Sequence, residues 1–128
     1  MIVVDVNIIV NLFIEGDHST AAADLYEQDD QWYCPDIWIH EITNVISTYV
    51  KHGGLSPKKA DQMLNNAMAY FLDNTFSMPM SDVLKCSLKY NISAYDAEYI
   101  VLAKINKTRL VTVDKKLNKA IPRLTRLL

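Results

Sequence analysis

Short apolar runs of strand length alternate along this chain with longer segments of helical periodicity, and few folds accommodate that alternation. The runs lie at residues 2–4, 32–34 and 109–113 and are rich in β-branched or aromatic side chains. Strands that alternate with helices predict an α/β fold with a parallel sheet covered on both faces. A chain of 128 residues is long enough for one such domain and too short for two, so we expect a single domain over residues 1–128.

The helical segments between these runs are recognised by the spacing of their apolar residues. We predict helices over 7–13, 19–28, 38–52, 57–71, 81–90 and 93–104, a helical turn at 115–119, and further short strands at 76–78 and 124–128. The clearest helix has Ser56 as its cap and Pro57 at its first position. Its apolar residues form one face that packs on a core: Ala60, Met63, Leu64, Ala67, Met68 and Phe71.

Two acidic residues stand directly after apolar strands, where an isolated carboxylate is costly to bury. Asp5 follows the run at 2–4, and Asp114 follows the run at 109–113. The carboxyl ends of parallel strands meet at one edge of a sheet, and ligands bind there. We therefore expect Asp5 and Asp114 to lie at the same edge.

Two more acidic residues lie on predicted helices, where spacing decides which way they point. Glu41 stands one turn from Trp38, beside the apolar stripe of its helix rather than opposite it. Asp96 shares a helical face with Tyr99 and Ile100. We expect both carboxylates to point inward, so that four separate segments contribute one acid each.

Each acid also has an ordinary structural explanation. Asp5 and Asp114 could cap the helical segments that follow them, and Glu41 could be a first-turn acid favoured by the helix dipole. Asp96 could belong to a capping box with Ser93. Four converging carboxylates would nevertheless repel one another unless a cation lies among them. Oxygen ligands suit Mg²⁺ or Mn²⁺, so the four acids together predict a divalent metal site.

Positive charge is concentrated at one end of a chain whose net charge is only -2. Residues 104–128 contain a single acid, Asp114, and eight basic residues: Lys104, Lys107, Arg109, Lys115, Lys116, Lys119, Arg123 and Arg126. Such a segment could hold an anionic polymer. It could equally be an ordinary solvated surface, and charge alone favours that simpler explanation.

Several classes of protein are disfavoured by what the sequence lacks. There is no G-x-S-x-G motif, no phosphate-binding P-loop and no H-E-x-x-H zinc motif. Cys34 and Cys86 show no metal-ligand spacing, which suits reduced thiols in a cytoplasmic protein. No apolar stretch approaches the roughly 20 residues that span a bilayer, and we expect neither a signal peptide nor a membrane association.

The segments that carry the acids resemble those of PIN-domain ribonucleases, in particular the VapC-type toxins of bacterial toxin–antitoxin pairs. The matching stretches are VVDVNIIV, HEITNVI, SAYDAEYIVLA and LVTVDKKL, whose order and spacing cover nearly the whole chain. This resemblance implies a three-layer α/β/α sandwich with a central parallel sheet. It also implies that Asp5 and Asp96 ligate Mg²⁺ or Mn²⁺, while Glu41 and Asp114 complete the acidic cluster directly or through water.

The same resemblance implies a metal-dependent endoribonuclease whose catalytic residues are Asp5, Glu41, Asp96 and Asp114. Its substrate would be the exposed loop of a structured RNA, a tRNA or a ribosomal RNA. Many relatives have Thr or Ser where this chain has Asn7, whose amide can still donate a hydrogen bond to a phosphate. Lys115 and Lys116 could hold the RNA backbone beside the acidic pocket. Tyr95 and Tyr99 flank Asp96, and we predict core positions for both.

A VapC-type protein would be paired with a cognate antitoxin and would meet DNA only through that antitoxin. The apolar half of the composition is compatible with a homodimer, although a core alone also accounts for it. Two other functions stay open. One is a housekeeping RNA-processing nuclease of the same family. The other is a non-catalytic acidic pocket that binds Mg²⁺ or a partner as a switch, although Val6 and Asp114 depart from the acid pair and late lysine of receiver domains.

Overall fold

The computed structural model describes residues 1–128 and contains five strands and seven α-helices. The strands are β1 (Ile2–Val4), β2 (Trp32–Pro35), β3 (Thr75–Phe76), β4 (Leu110–Thr112) and β5 (Thr125–Leu127). The helices are α1 (Val6–Phe13), α2 (Ser19–Gln28), α3 (Ile37–His52), α4 (Pro57–Phe71), α5 (Met80–Tyr90), α6 (Ala94–Ile105) and α7 (Lys115–Ala120), and a 3₁₀ turn covers Leu72–Asn74.

All five strands are parallel and lie in the order β3-β2-β1-β4-β5. The chain first builds outward from β1 to β3 and then returns to place β4 on the other side of β1. In an open parallel sheet this reversal of strand order creates a crevice beyond the carboxyl ends of the two central strands. Here those strands are the neighbours β1 and β4; Asp5 follows β1 directly, and Asp114 follows β4 after one residue, Val113.

The helices form two layers around this sheet. Helices α1 to α4 contact one another, whereas α5 packs on α6 and α7 packs against β5. Because parallel crossovers are almost always right-handed, the reversal of strand order sends the two sets of helices to opposite faces. The predicted three-layer α/β/α sandwich with a parallel sheet is confirmed.

Stacked aromatic side chains join α4 to the sheet and orient α3. The Trp32 indole of β2 stacks on Phe71, with ring centroids 5.6 Å apart and planes 7° apart. Trp38 meets the same ring edge-on at 6.1 Å, and its Nε1 donates to Thr75 Oγ1 at 2.8 Å. Trp32, Trp38 and Phe71 are fully buried, so α3 is held in a fixed rotation that determines where Glu41 points.

Most predicted elements are confirmed, and the errors lie at element ends. Strand β3 covers Thr75–Phe76 rather than 76–78, because the Thr75 hydroxyl is anchored between Trp38 Nε1 and the Phe71 carbonyl. Beyond Phe76 the chain turns away from the sheet, and the Ser77 hydroxyl donates to Asp36 at 2.8 Å. None of the helices has the length and apolar character that crossing a membrane requires.

Candidate functional site

The four predicted acids line one small cavity of about 60 Å³ at the carboxyl edge of the sheet. We call this cavity the acidic pocket. Its ten lining residues contain no lysine, arginine or histidine: Asp5, Val6, Asn7, Glu41, Asp96, Tyr99, Leu110, Thr112, Asp114 and Leu117. Five elements or their caps contribute to it, so the fold, and not any local motif, assembles the acids.

Asp5 is the most enclosed of the four carboxylates and is held by donors on two sides. One oxygen accepts from the Ile8 N–H at 3.2 Å, which caps α1. The other accepts from the Thr112 hydroxyl and from the Val113 N–H. Burial raises the pKa of the Asp5 carboxyl above its ordinary value, and these hydrogen bonds offset part of that rise. The carboxylate is therefore fixed in direction and still carries an uncompensated charge.

Thr112 links two of the acids and was not predicted from the sequence. Its side chain is fully buried at the end of β4, its hydroxyl donates to Asp5, and the same oxygen accepts from the Asp114 N–H at 3.0 Å. A threonine in the run RLVTV looks like an ordinary β-branched strand residue. Thr112 lies beside Asp5 only because β4 pairs with β1, and the sequence does not reveal that pairing.

Glu41 is positioned by the phenol of Tyr99, which donates to Glu41 Oε1 at 2.7 Å. Burial and then the charge of Glu41 raise the pKa of Tyr99 well above its ordinary value, so the phenol stays a donor at neutral pH. Tyr99 is buried as predicted, whereas Tyr95 is 62% exposed and its predicted core position is wrong. The two tyrosines are four residues apart on α6, but Tyr95 precedes the run Ala97–Ala103, in which every residue, including Tyr99, is buried.

Asp96 and Asp114 both line the acidic pocket and also an adjoining cavity. Burial and then the negative charge of Asp114 raise the pKa of Asp96. Burial, together with the charges of Asp96 and Asp5, also raises the pKa of Glu41. These directions are the ones expected for carboxylates that share a half-buried site, because burial and like charges both disfavour ionisation.

The capping roles weighed against a functional site are present alongside it. Asp5 caps α1, Asp114 caps α7 through the Leu117 N–H at 2.9 Å, and Ser93 Oγ accepts from the Asp96 N–H at 3.0 Å. The first-turn explanation for Glu41 is wrong, because α3 begins at Ile37 and has no acid in its first turn. Capping therefore accounts for why Asp5 and Asp114 stand at the starts of their helices, whereas Ser93 caps the helix of Asp96, and it does not account for why all four acids face one cavity.

The residues of the pocket fit a divalent cation by their chemistry. Glu41 and Asp114 each give one carboxylate oxygen to a protein donor, Tyr99 and Leu117 respectively, which leaves the second oxygen free. No three His, Cys, Asp or Glu side chains are drawn together closely enough to form a closed metal site. Hard oxygen donors around a small cavity with no basic lining residue suit a divalent cation such as Mg²⁺ or Mn²⁺.

The three predicted substrate-binding residues lie at different distances from the acids. Asn7 is exposed and lines the acidic pocket. Lys116 lines an adjoining cavity that shares Asp96 and Asp114 with the pocket. Lys115 is exposed and lines neither cavity. Asn7 and Lys116 are therefore the two of these residues nearest to any substrate in the pocket.

Replacing Thr112 with valine should destabilise the protein in a pH-dependent way. Thr112→Val keeps the shape but removes a donor from Asp5 and an acceptor from the Asp114 N–H, so we expect a loss of about 1–3 kcal/mol in the free energy of unfolding at pH 7. The hydrogen bond favours the charged form of Asp5. Its contribution is therefore present above the folded-state pKa of Asp5 and fades as the pH falls through that value. Urea unfolding across this pH range measures the effect.

Thr125→Val is the matched control for this experiment. Thr125 is equally buried, and its hydroxyl bonds the Ile121 carbonyl and the Asn118 amide without touching a carboxylate. We expect it to destabilise the protein by a similar amount at every pH. The same pH dependence in both variants would contradict the role assigned to Thr112.

Comparison with known proteins places the chain among a defined set of relatives. The family model described as PIN domain matches residues 2–121. Ribonuclease VapC3 of Pyrobaculum aerophilum is 25% identical over 126 residues, which cover 96% of both chains. The crystal structure of PAE2754 from the same organism superposes with a TM-score of 0.77 at 18% identity, covering 98% of this chain and 88% of the other. FitAcB from Neisseria gonorrhoeae gives 0.70 at 17% identity, with 98% and 96% covered.

Proposed function

The chain belongs to the PIN-domain family, and from that membership we propose that it is a divalent-metal-dependent endoribonuclease. One observation carries the proposal: four carboxylates from four separate segments line a single pocket that no basic side chain lines. A relative that aligns over 96% of the chain bears the name of a ribonuclease. The hydrolysis of a phosphodiester bond is the chemistry for which such a pocket is suited.

In this proposal Asp5 and Asp96 hold Mg²⁺ or Mn²⁺, and Glu41 and Asp114 complete the site directly or through water. A bound divalent ion supplies activation of water at neutral pH and stabilises charge on phosphoryl oxygens. Thr112 fixes the direction of the Asp5 carboxylate, and Tyr99 does the same for Glu41. Such supporting hydrogen bonds restrict the ligand orientations and sharpen the geometry of a metal site.

Two groups at the rim suit a phosphate of the substrate. The Asn7 side chain is exposed at the pocket, where its amide can donate to a phosphoryl oxygen. Lys116, and Lys115 beside it, can neutralise the backbone that leaves the pocket. Sequence-specific recognition of RNA mostly targets unstacked single-stranded loops. We therefore propose the exposed loop of a tRNA or a ribosomal RNA as the substrate.

The similarity to VapC-type proteins extends the proposal to a biological role. As a toxin of a toxin–antitoxin pair, the protein would be cytoplasmic, would form a homodimer and would be inhibited by a cognate antitoxin. Contact with DNA would occur only through that antitoxin. The acidic pocket is a natural target for inhibition, because an Arg or Lys side chain of a partner would satisfy its uncompensated charge.

Mapping of RNA ends after incubation with the purified protein tests this function. We expect discrete new ends inside one loop of a tRNA or ribosomal RNA, present only with Mg²⁺ or Mn²⁺ and suppressed when the product of an adjacent small gene is added. Uniform degradation, or a preference for duplex DNA, would contradict the proposed substrate. Discrete ends without any inhibitory neighbour would instead indicate a housekeeping RNA-processing nuclease.

A further inference from the structure

The basic C-terminal segment is divided between two edges of the sheet. Lys115 and Lys116 follow β4 at the carboxyl edge, whereas Arg109 precedes β4 and therefore lies at the opposite, amino edge. A cavity of about 580 Å³, which we call the basic groove, lies there. Its lining includes five basic residues and no acid: Lys104, Lys107, Arg109, Arg123 and Arg126. The basic groove and the acidic pocket therefore lie at opposite edges of the sheet.

The arginines of the basic groove form no ion pair that stabilises the fold. The only ion pair within 4.0 Å in the protein joins the Met1 amino group to Asp29. Lys104 lies in the last turn of α6, where a cation favours the helix dipole, but Arg109, Arg123 and Arg126 have no such role. All three are exposed. Several unpaired cations around one concavity attract an anionic ligand and raise its local concentration.

A second groove lies next to the basic groove, along the α5–α6 hairpin. This hairpin groove shares Lys104 with the basic groove and adds Lys85 and Lys89, with Asp82 as its one acid. Burial raises the pKa of the Cys86 thiol, and the charges of Lys104 and Lys89 lower it, so both ammonium groups lie close to this groove. Helix α6 has 12 residues, which makes the hairpin groove at most about 18 Å long.

The hairpin groove leads back to the acidic pocket through one aromatic side chain. Tyr90 lines the hairpin groove and also the adjoining cavity that contains Lys116. That cavity in turn shares Asp96, Asp114 and Leu117 with the acidic pocket. Four neighbouring concavities, each of which shares at least one lining residue with the next, therefore form a series from the four carboxylates to the five cations at the opposite edge.

We propose that this series of grooves binds the phosphate backbone of the single-stranded RNA segment that leads away from the acidic pocket. The inference rests on the proposed function for the identity of the polymer. A positively charged groove with an aromatic side chain on its course is the arrangement by which proteins bind single strands. A polymer, rather than a small anion, explains why the cations are spread along the whole hairpin. At about 3.4 Å per stacked nucleotide, the hairpin groove alone accommodates about five nucleotides.

Binding of RNA without divalent metal tests the inference independently of cleavage. The variant Arg123→Gln/Arg126→Gln removes two cations of the basic groove, and Lys58→Gln/Lys59→Gln removes two exposed cations in the first turn of α4, which line none of these grooves. Fluorescence anisotropy in EDTA would give the affinity of each for single-stranded RNAs of about 4 and about 20 nucleotides, the shorter being able to span only part of the series of grooves at about 3.4 Å per nucleotide.

We expect the groove variant to bind the longer RNA about tenfold more weakly and the control to bind it as the parent does. The slope of log affinity against log salt should fall by about 1.4 in magnitude, because each single-strand phosphate contact contributes about 0.7. The shorter RNA should bind the parent more weakly than the longer one, because it can contact only part of the series of grooves. Equal losses in the groove variant and the control, or retention of full affinity in the groove variant, would overturn the inference.

Two further results separate this inference from its alternatives. If polyglutamate binds the parent more tightly than RNA does and loses affinity in the groove variant, the basic groove serves an acidic protein segment and the RNA assignment is overturned. If the parent protein cleaves no RNA but the groove variant still loses affinity for the longer RNA, the proposed nuclease function fails while the binding surface stands. The two proposals can therefore fail separately.

Discussion

Replacing Asp96 with asparagine should lower the rate of RNA cleavage by about three orders of magnitude while leaving the protein folded. A metal ion at such a site supplies several kcal/mol of transition-state stabilisation, and each 1.36 kcal/mol corresponds to about tenfold in rate. The asparagine side chain is almost the same shape as the native one but cannot carry its charge. Cleavage rates and urea unfolding should be measured on the same preparations of parent and Asp96→Asn protein.

The stability of the metal-free variant should equal or exceed that of the parent at pH 7. Burial and the charge of Asp114 raise the pKa of Asp96 in the folded state above its ordinary value of 3.8. The folded state then binds protons more readily than the unfolded one, so ionised Asp96 opposes folding at neutral pH. This penalty disappears as the pH falls below the ordinary value, and the stability difference between variant and parent should disappear with it.

Ser93→Ala separates the capping role of this helix end from its role in the pocket. The substitution removes the oxygen that accepts from the Asp96 N–H and should cost about 1 kcal/mol of stability. Cleavage should fall far less than in Asp96→Asn, because the Asp96 carboxylate keeps its charge and loses only its contact with the Ser93 hydroxyl. An Asp96→Asn protein that stays folded and cuts as fast as the parent would exclude Asp96 from the site. A large loss of stability in that variant would assign Asp96 to the cap alone.

The positions of the four acids could be predicted because each depends only on spacing within one helix or on the edge at which parallel strands end. Asp5 and Asp114 follow strands, and all parallel strands present their carboxyl ends at one edge. Glu41 and Asp96 lie on amphipathic helices, where the spacing to Trp38 or Tyr99 fixes a face. None of these steps requires knowing which strands are neighbours.

The supporting contacts could not be predicted because they depend on strand order and packing. Thr112 and Asp5 are 107 residues apart, and Tyr99 and Glu41 are 58 apart. Both pairs form only once β4 lies beside β1 and α6 packs across the sheet. For the same reason Arg109 and Lys115 belong to one basic segment in the sequence but not in the structure. Strand β4 lies between them; its three residues span about 10 Å and place the two side chains at opposite edges of the sheet.

Chelation of divalent metal should abolish cleavage completely, and addition of Mn²⁺ should restore it. Binding of the ion to the folded state alone stabilises the protein by about 2.7 kcal/mol at a hundredfold excess over Kd, which raises the unfolding temperature by about 10 °C for a chain of this length. The pKa values of Asp5, Glu41 and Asp96 are raised, so protons compete with the metal ion for these carboxylates as the pH falls. The thermal shift should therefore shrink as the pH is lowered from 7.

The location of that ion is tested by comparing two substitutions of the same kind. Asp96→Asn should remove most of the thermal shift, whereas Asp24→Asn, which changes an exposed acid of α2 outside the acidic pocket, should keep it. Equal shifts in both variants would mean that the ion binds elsewhere. A full shift in the parent with no cleavage of any RNA would identify the pocket as a non-catalytic metal-binding switch, because binding alone moves the folding equilibrium whereas hydrolysis also requires the ion to reach the scissile phosphate.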